Sequence, residues 1–137
     1  MSTPDTSVVI AALVPWHEAH AEARAALAAD NDRRLIAHVA FEATSSLSRM
    51  PRGQRVAATV VRSALEAMFP GDWLAPAPAE SRAALAMAVA ADVRGGALYD
   101  ALIAATAAAA DVRLLSLDRR ALPVYTRMGV EAELLAA

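Results

Sequence analysis

Cysteine and lysine are both absent from this sequence of 137 residues, and all thirteen cationic side chains are arginine. Without cysteine there is no disulfide, no thiolate metal site and no cysteine nucleophile, and nothing speaks against a reducing cytoplasm. Without lysine, Schiff-base catalysis and a P-loop phosphate site drop out. So does a phosphorylatable receiver domain, another α/β fold with clustered acids, which needs a lysine at its phosphoryl group. Excess positive charge is missing too: the net charge of −2 offers no basic surface for nucleic acid, so an RNA substrate would have to be held locally or through metal ions. The N-terminal MSTPDTSVVIAAL lacks the basic segment, long apolar stretch and cleavage site of a signal peptide. The longest apolar helical pattern, residues 97–110, contains Asp100 and is too short to span a bilayer. A cytoplasmic protein with no membrane contact is expected.

What is present is apolar and rich in alanine. Hydrophobic residues make up 57% of the chain, which excludes a disordered polymer, and alanine favours helices because it loses no side-chain entropy there. The length suits one domain, residues 1–137. The hydrophobic pattern alternates strands and helices. A short first strand ends at Asp5, with Pro4 limiting its hydrogen bonds. Helices are expected at Ser7–Val14, His17–Ala29, about Ala40–Met50, Gln54–Phe69, Glu80–Val93 and Ala97–Ala110, the last after a Gly95–Gly96 break. Strands are expected at Leu35–Val39, Trp73–Ala75 and Val112–Leu117, and a last helical stretch and a short strand near Val130 close the chain. This alternation implies an α/β fold with a mostly parallel sheet and helices on both faces.

Four acids fall at related places on that map. Asp5 follows the first strand and opens the first helix, Glu42 lies in the first turn after the second strand, and Asp118 directly follows VRLLSL. Asp100 is in the first turn of the helix leading into that strand. Strand carboxyl ends and the following helix N-termini share one edge of an open α/β sheet, where ligands bind; Asp100 joins them if its helix is entered from that edge. Any one such acid is explained as a helix cap or dipole partner. Glu42 in HVAFEATSSL and Asp100 in ALYDALIAATAAAA, however, sit in segments nearly free of other charge, where an unpaired buried carboxylate is costly. A hard divalent cation, Mg²⁺ or Mn²⁺, suits an all-oxygen cluster.

The ordered set PDTSVVIAAL (4–13), AFEATSSLSR (40–49), YDALIAATAAAADVRLLSLDRRA (99–121) and LPVYTRMGVE (122–131) resembles PIN-domain nucleases, and within them the VapC toxins of bacterial toxin–antitoxin pairs. The resemblance implies a PIN-like three-layer sandwich whose acids hold Mg²⁺ or Mn²⁺. It further implies cleavage of single-stranded RNA and inhibition by a cognate VapB-like antitoxin. By motif, Asp5 and Asp100 correspond to the principal metal ligands, and Glu42 and Asp118 to the remaining acids, with Asp118 acting directly or through water. Thr6 or Ser7 and Ser116 correspond to hydroxyl positions that orient a carboxylate or a metal-bound water. The one departure is Pro4, where the family usually has an apolar residue. A hydrolytic in-line attack on a phosphodiester follows, with no covalent nucleophile.

Weaker signals surround this set. Arg119 and Arg120 either grip RNA phosphates at the site's edge or form a solvated helix start, and the same choice applies to Arg49, Arg52 and Arg55. His17 and His20, three apart, have no third ligand nearby. Trp16 and Trp73 are expected to pack helix junctions in preference to stacking a base, and Met50, Met68 and Met87 to fill the core or face a partner. The apolar faces of 8–14 and 54–68 exceed what so small a core requires and are candidate surfaces for an antitoxin helix or a second copy in a homodimer. The alternatives are a PIN nuclease that matures RNA without being a toxin, and a degenerate PIN fold used only for binding.

Overall fold

The computed structural model describes residues 1–136. Its centre is a parallel sheet of three short strands, β1 (Ser2–Pro4), β2 (Arg113–Ser116) and β3 (Ala132–Leu134), in the spatial order β1-β2-β3. Thr3 pairs with Leu114, and Leu115 with Glu133. The Asp5 amide donates to the Leu115 carbonyl and the Arg113 amide to the Met1 carbonyl, so the odd-numbered residues of β1 bond to β2. Pro4, which has no N–H, therefore falls on the opposite edge, where its missing donor interrupts nothing in the β1–β2 ladder. On that edge the Arg34 amide donates to the Ser2 carbonyl at 2.8 Å, and Ile36 makes an isolated parallel bridge to Leu74.

Among the described residues seven helices flank the strands: α1 (Thr6–Leu13), α2 (His20–Ala28), α3 (Ala37–Ser48), α4 (Ala58–Met68), α5 (Pro78–Ala90), α6 (Ala97–Ala110) and α7 (Leu122–Arg127). Both α1 and α6 pack on β2, α1 also contacts α2 and α3, and α6 contacts α5 and α7. The result is the α/β sandwich expected from the alternating pattern. Its core is built from short side chains in close approach: Val8, Val9, Ala11 and Ala12 of α1, Val39, Ala43 and Leu47 of α3, Ile103, Ala104 and Ala107 of α6, and Leu114 and Leu115 of β2. No helix of the described residues is long and apolar enough to cross a membrane.

Several boundaries differ from the sequence expectation. The strand expected at Leu35–Val39 shrinks to the single bridge at Ile36, because the next residue already begins α3. Val39, Ala40, Ala43 and Leu47 are buried along one face at helical spacing, so Val39 points inward as part of a helix. As a consequence Glu42 lies in the second turn of α3 and not the first. The strand expected at Trp73–Ala75 is likewise only the bridge at Leu74. Helix α2 starts at His20, since the Ala19 amide donates to His17 Nδ1 in a preceding turn. Helix α4 starts at Ala58, and the Val56 amide before it donates to the Leu47 carbonyl. Helix α5 starts earlier than expected, with Pro78 in its first turn and Glu80 Oε1 accepting from the Ala77 amide at 2.7 Å.

Candidate active site

Because β1 and β2 are parallel, their carboxyl ends open on the same edge, and the chain turns from each into an acid. Asp5 is the N-cap of α1 and is 2% exposed. Its Oδ1 accepts from the Ser7 hydroxyl at 2.5 Å and the Val8 amide at 3.3 Å, and its Oδ2 from the Tyr125 hydroxyl at 2.7 Å. Burial pushes the Asp5 carboxyl above its usual range, opposed in turn by hydrogen bonding from Ser116, Ser7, Tyr125 and the Val8 amide. Ser7 Oγ also accepts from the Leu117 amide at 2.9 Å, which ties the start of α1 to the end of β2. Ser116 Oγ accepts from the Asp118 backbone amide at 3.0 Å.

Glu42 and Asp100 arrive from helices. Glu42 Oε1 accepts from the Thr6 hydroxyl at 3.2 Å and lies 3.2 Å from His38 Nε2, one turn earlier on α3. The angle leaves that nitrogen without a proper hydrogen bond, so the contact is one of proximity. Asp100 stands in the first turn of α6. Burial, then the charges of Glu42, Asp118 and Asp5, raise its carboxyl from 3.8 to about 6. Asp118 follows β2, its Oδ1 accepting from the Arg120 amide at 2.9 Å.

These four acids line one cavity of about 230 Å³, completed by Thr6, Ser7, Ile103 and Tyr125. No arginine is in the lining. Among the described residues no three side chains of histidine, aspartate or glutamate close into a ready-made chelate; four like charges instead face each other across the cavity. The donor set is nevertheless the one a hard cation takes, all oxygen, with hydroxyls orienting the carboxylates from outside. Asp5, Glu42, Asp100 and Asp118 could hold Mg²⁺ or Mn²⁺, and nothing else in the lining offsets their charge.

The remaining residues singled out in the sequence lie elsewhere. Arg119 and Arg120 are exposed on the turn after Asp118, the Arg120 guanidinium 3.9 Å from it. Arg49 shares a shallow surface hollow with Glu42, its Nε donating to the Ser45 carbonyl. His17 and His20 spend their Nδ1 atoms on backbone groups, of Ala19 and Ala11. Trp16 is 59% exposed and does not pack the helix junction expected of it, while Trp73 Nε1 donates to the Phe69 carbonyl. The apolar face of 8–14 is consumed by the core and is not surplus. That of α4 is surplus in part, with Val60 58% exposed and Phe41 and Trp73 flanking an apolar groove of about 430 Å³ between α3 and α4. Sequence reasoning gave no role to Tyr125, His38 or Tyr99. The only available signal for Tyr125 was a tyrosine in an otherwise apolar short helix, where a buried hydroxyl needs a partner.

Comparison with known proteins places the chain in a family and a fold. A family model described as PIN domain matches residues 3–126. Ribonuclease VapC40 of Mycobacterium tuberculosis is 41% identical over 135 residues, spanning 98% of this chain and 99% of that protein. Ribonuclease VapC27 of the same organism is 35% identical over 132 residues, 96% of this chain and 95% of its own. Among solved structures, VapC20 of Mycobacterium tuberculosis, a toxin that cleaves the sarcin–ricin loop, superposes with a TM-score of 0.72 at 18% identity, covering 99% of this chain and all of its own. FitAcB from Neisseria gonorrhoeae gives 0.71 at 21% identity, over 97% and 96% of the two chains. At those identities the structures speak for the fold alone.

Proposed function

The chain belongs to the PIN-domain family, in its VapC branch, and from that premise we propose that it is a divalent-metal-dependent endoribonuclease acting as the toxin of a toxin–antitoxin pair. The observation that carries this reading is the convergence of Asp5, Glu42, Asp100 and Asp118 on one cavity with no cation among its lining residues. The ribonuclease names of VapC40 and VapC27 support the substrate class.

A bound Mg²⁺ or Mn²⁺ would supply a water of lowered pKa and neutralise charge on the phosphodiester. The protein's own part is to hold the carboxylates. Tyr125 and Ser7 orient Asp5 from opposite oxygens. Burial and the charge of Asp5 hold the Tyr125 hydroxyl far above its ordinary pKa, so it stays protonated and donates. Thr6 turns Glu42 toward the cavity, and Ser116 shapes the turn that presents Asp118. Arg119 and Arg120, exposed at the rim, are positioned to meet RNA phosphates.

Two apolar grooves, one between α3 and α4 and one of about 460 Å³ between α5 and α6, offer surface for a cognate antitoxin and for a second copy of the chain. The deciding experiment incubates the purified protein with single-stranded RNA and Mg²⁺ or Mn²⁺, beside a chelator control and Asp100→Asn. Metal-dependent cleavage, lost in the variant and blocked by a cognate antitoxin, is expected. Cleavage that persists in chelator and in the variant overturns the metal mechanism.

A further inference from the structure

We propose that Tyr99, backed by His38, is a stacking platform for a nucleobase of the RNA strand beside the bond that is cut, an inference that rests on the ribonuclease reading above. Tyr99 immediately precedes Asp100 in the first turn of α6. One face of its ring lies against the His38 imidazole of α3, with centroids 5.1 Å apart and planes inclined by 13°. His38 lies close to the cavity in turn, its Nε2 3.2 Å from Glu42 Oε1. The stack is therefore made by the residue next to one acid and the residue one turn from another.

Its other face has little to cover it. With Gly95 and Leu98, the ring borders the hollow between α5 and α6. Tyr99 remains 53% exposed. Beyond the ring, the hollow between α5 and α6 continues past Leu98 and Leu102 to Leu85, and no charged side chain lines it. A planar ring supported on one face and bare on the other is what a base stacks on, and such stacking tolerates any base because each has a π face. Four carboxylates repel the phosphate backbone, so an uncharged contact just outside them grips the strand where charge cannot.

The test uses the whole chain with Mg²⁺ and a single-stranded oligoribonucleotide carrying one 2-aminopurine, moved stepwise along the strand. Quenching of its fluorescence is expected at one position adjoining the cleaved bond. Tyr99→Leu should abolish the quenching and raise KM about tenfold, the scale of one lost base–aromatic stack, while Tyr99→Phe keeps both. In Tyr99→Leu, kcat should stay within about twofold, as for a residue that only binds, and the Mg²⁺ concentration giving half-maximal rate should not move. Unchanged KM and quenching in Tyr99→Leu overturn the platform. So does a raised Mg²⁺ requirement at unchanged KM, which makes Tyr99 a support for Asp100. If the wild type binds with quenching that Tyr99→Leu abolishes but cuts nothing, the base contact stands and the ribonuclease reading falls.

Discussion

With its carboxyl pushed up to about 6, Asp100 retains a proton in the folded chain at pH values where the unfolded chain, near 3.8, has released it. Between those two values the folded state binds more protons, so its metal-free stability falls as pH rises from about 4 through about 6. Asp100→Asn removes that penalty. In chelator, the variant should melt above the wild type at pH 7.5 and the gap should close at pH 4, as thermal unfolding at both pH values will show. The same variant should lose more than about a hundredfold in cleavage, beyond what outer supporting residues cost. Tyr125→Phe tests such a support. Removing the hydroxyl that donates to Asp5 Oδ2 should weaken metal binding about 10- to 100-fold, read from the Mn²⁺ dependence of the rate. Tyr125 was not legible in the sequence because it lies 120 residues from Asp5, and only the fold places its hydroxyl there. The four acids were legible because Asp5 and Asp118 follow strands, while Asp100 and Glu42 lie in the first and second turns of charge-poor helices.

Helix α1 is fastened to β2 by one side chain. Ser7 Oγ donates to Asp5 and accepts from the Leu117 amide, so Ser7→Ala strands a partly buried N–H as well as freeing the carboxylate. A loss of about 1–3 kcal/mol is expected from the unpaired donor, measurable by urea unfolding at unchanged m-value. Elements bounded by strong local signals were readable from sequence. Ala97–Ala110 follows a Gly95 at φ +56° and ends at Asp111 in the left-handed region, and its helix has the expected limits. Leu35–Val39 was not readable, because two β-branched or apolar residues before an alanine-rich run satisfy both periods until the helix claims them. The pairing of Arg34 with Ser2 and of Ile36 with Leu74 is set by partners distant in sequence, which no local pattern reports.

At the scale of the molecule, the carboxylate cavity joins segments from both halves of the chain, so a cation bound there is linked to folding as a whole. Mn²⁺ at about 100 times its Kd should stabilise the native state by about 2.7 kcal/mol, provided the unfolded chain does not bind it. Thermal unfolding with and without the metal measures this, and Asp100→Asn should show little of the effect. The α/β class and the sheet's parallel sense followed from alternation alone, whereas the strand order did not, since β1 pairs with a strand more than a hundred residues later.

That pairing also governs when the site comes into existence during synthesis. Ser2–Pro4 is made long before Arg113–Ser116, its one strand partner among the described residues, and a hydroxyl on Asp5 comes from the still later Tyr125. Helices α1 to α5 precede that strand in the chain, so Asp5 and Glu42 are made before Asp100 and Asp118 join them. Asp5 and Glu42 thus pass the translation machinery without their later partners, and the cavity is complete only once residues up to Tyr125 have been made.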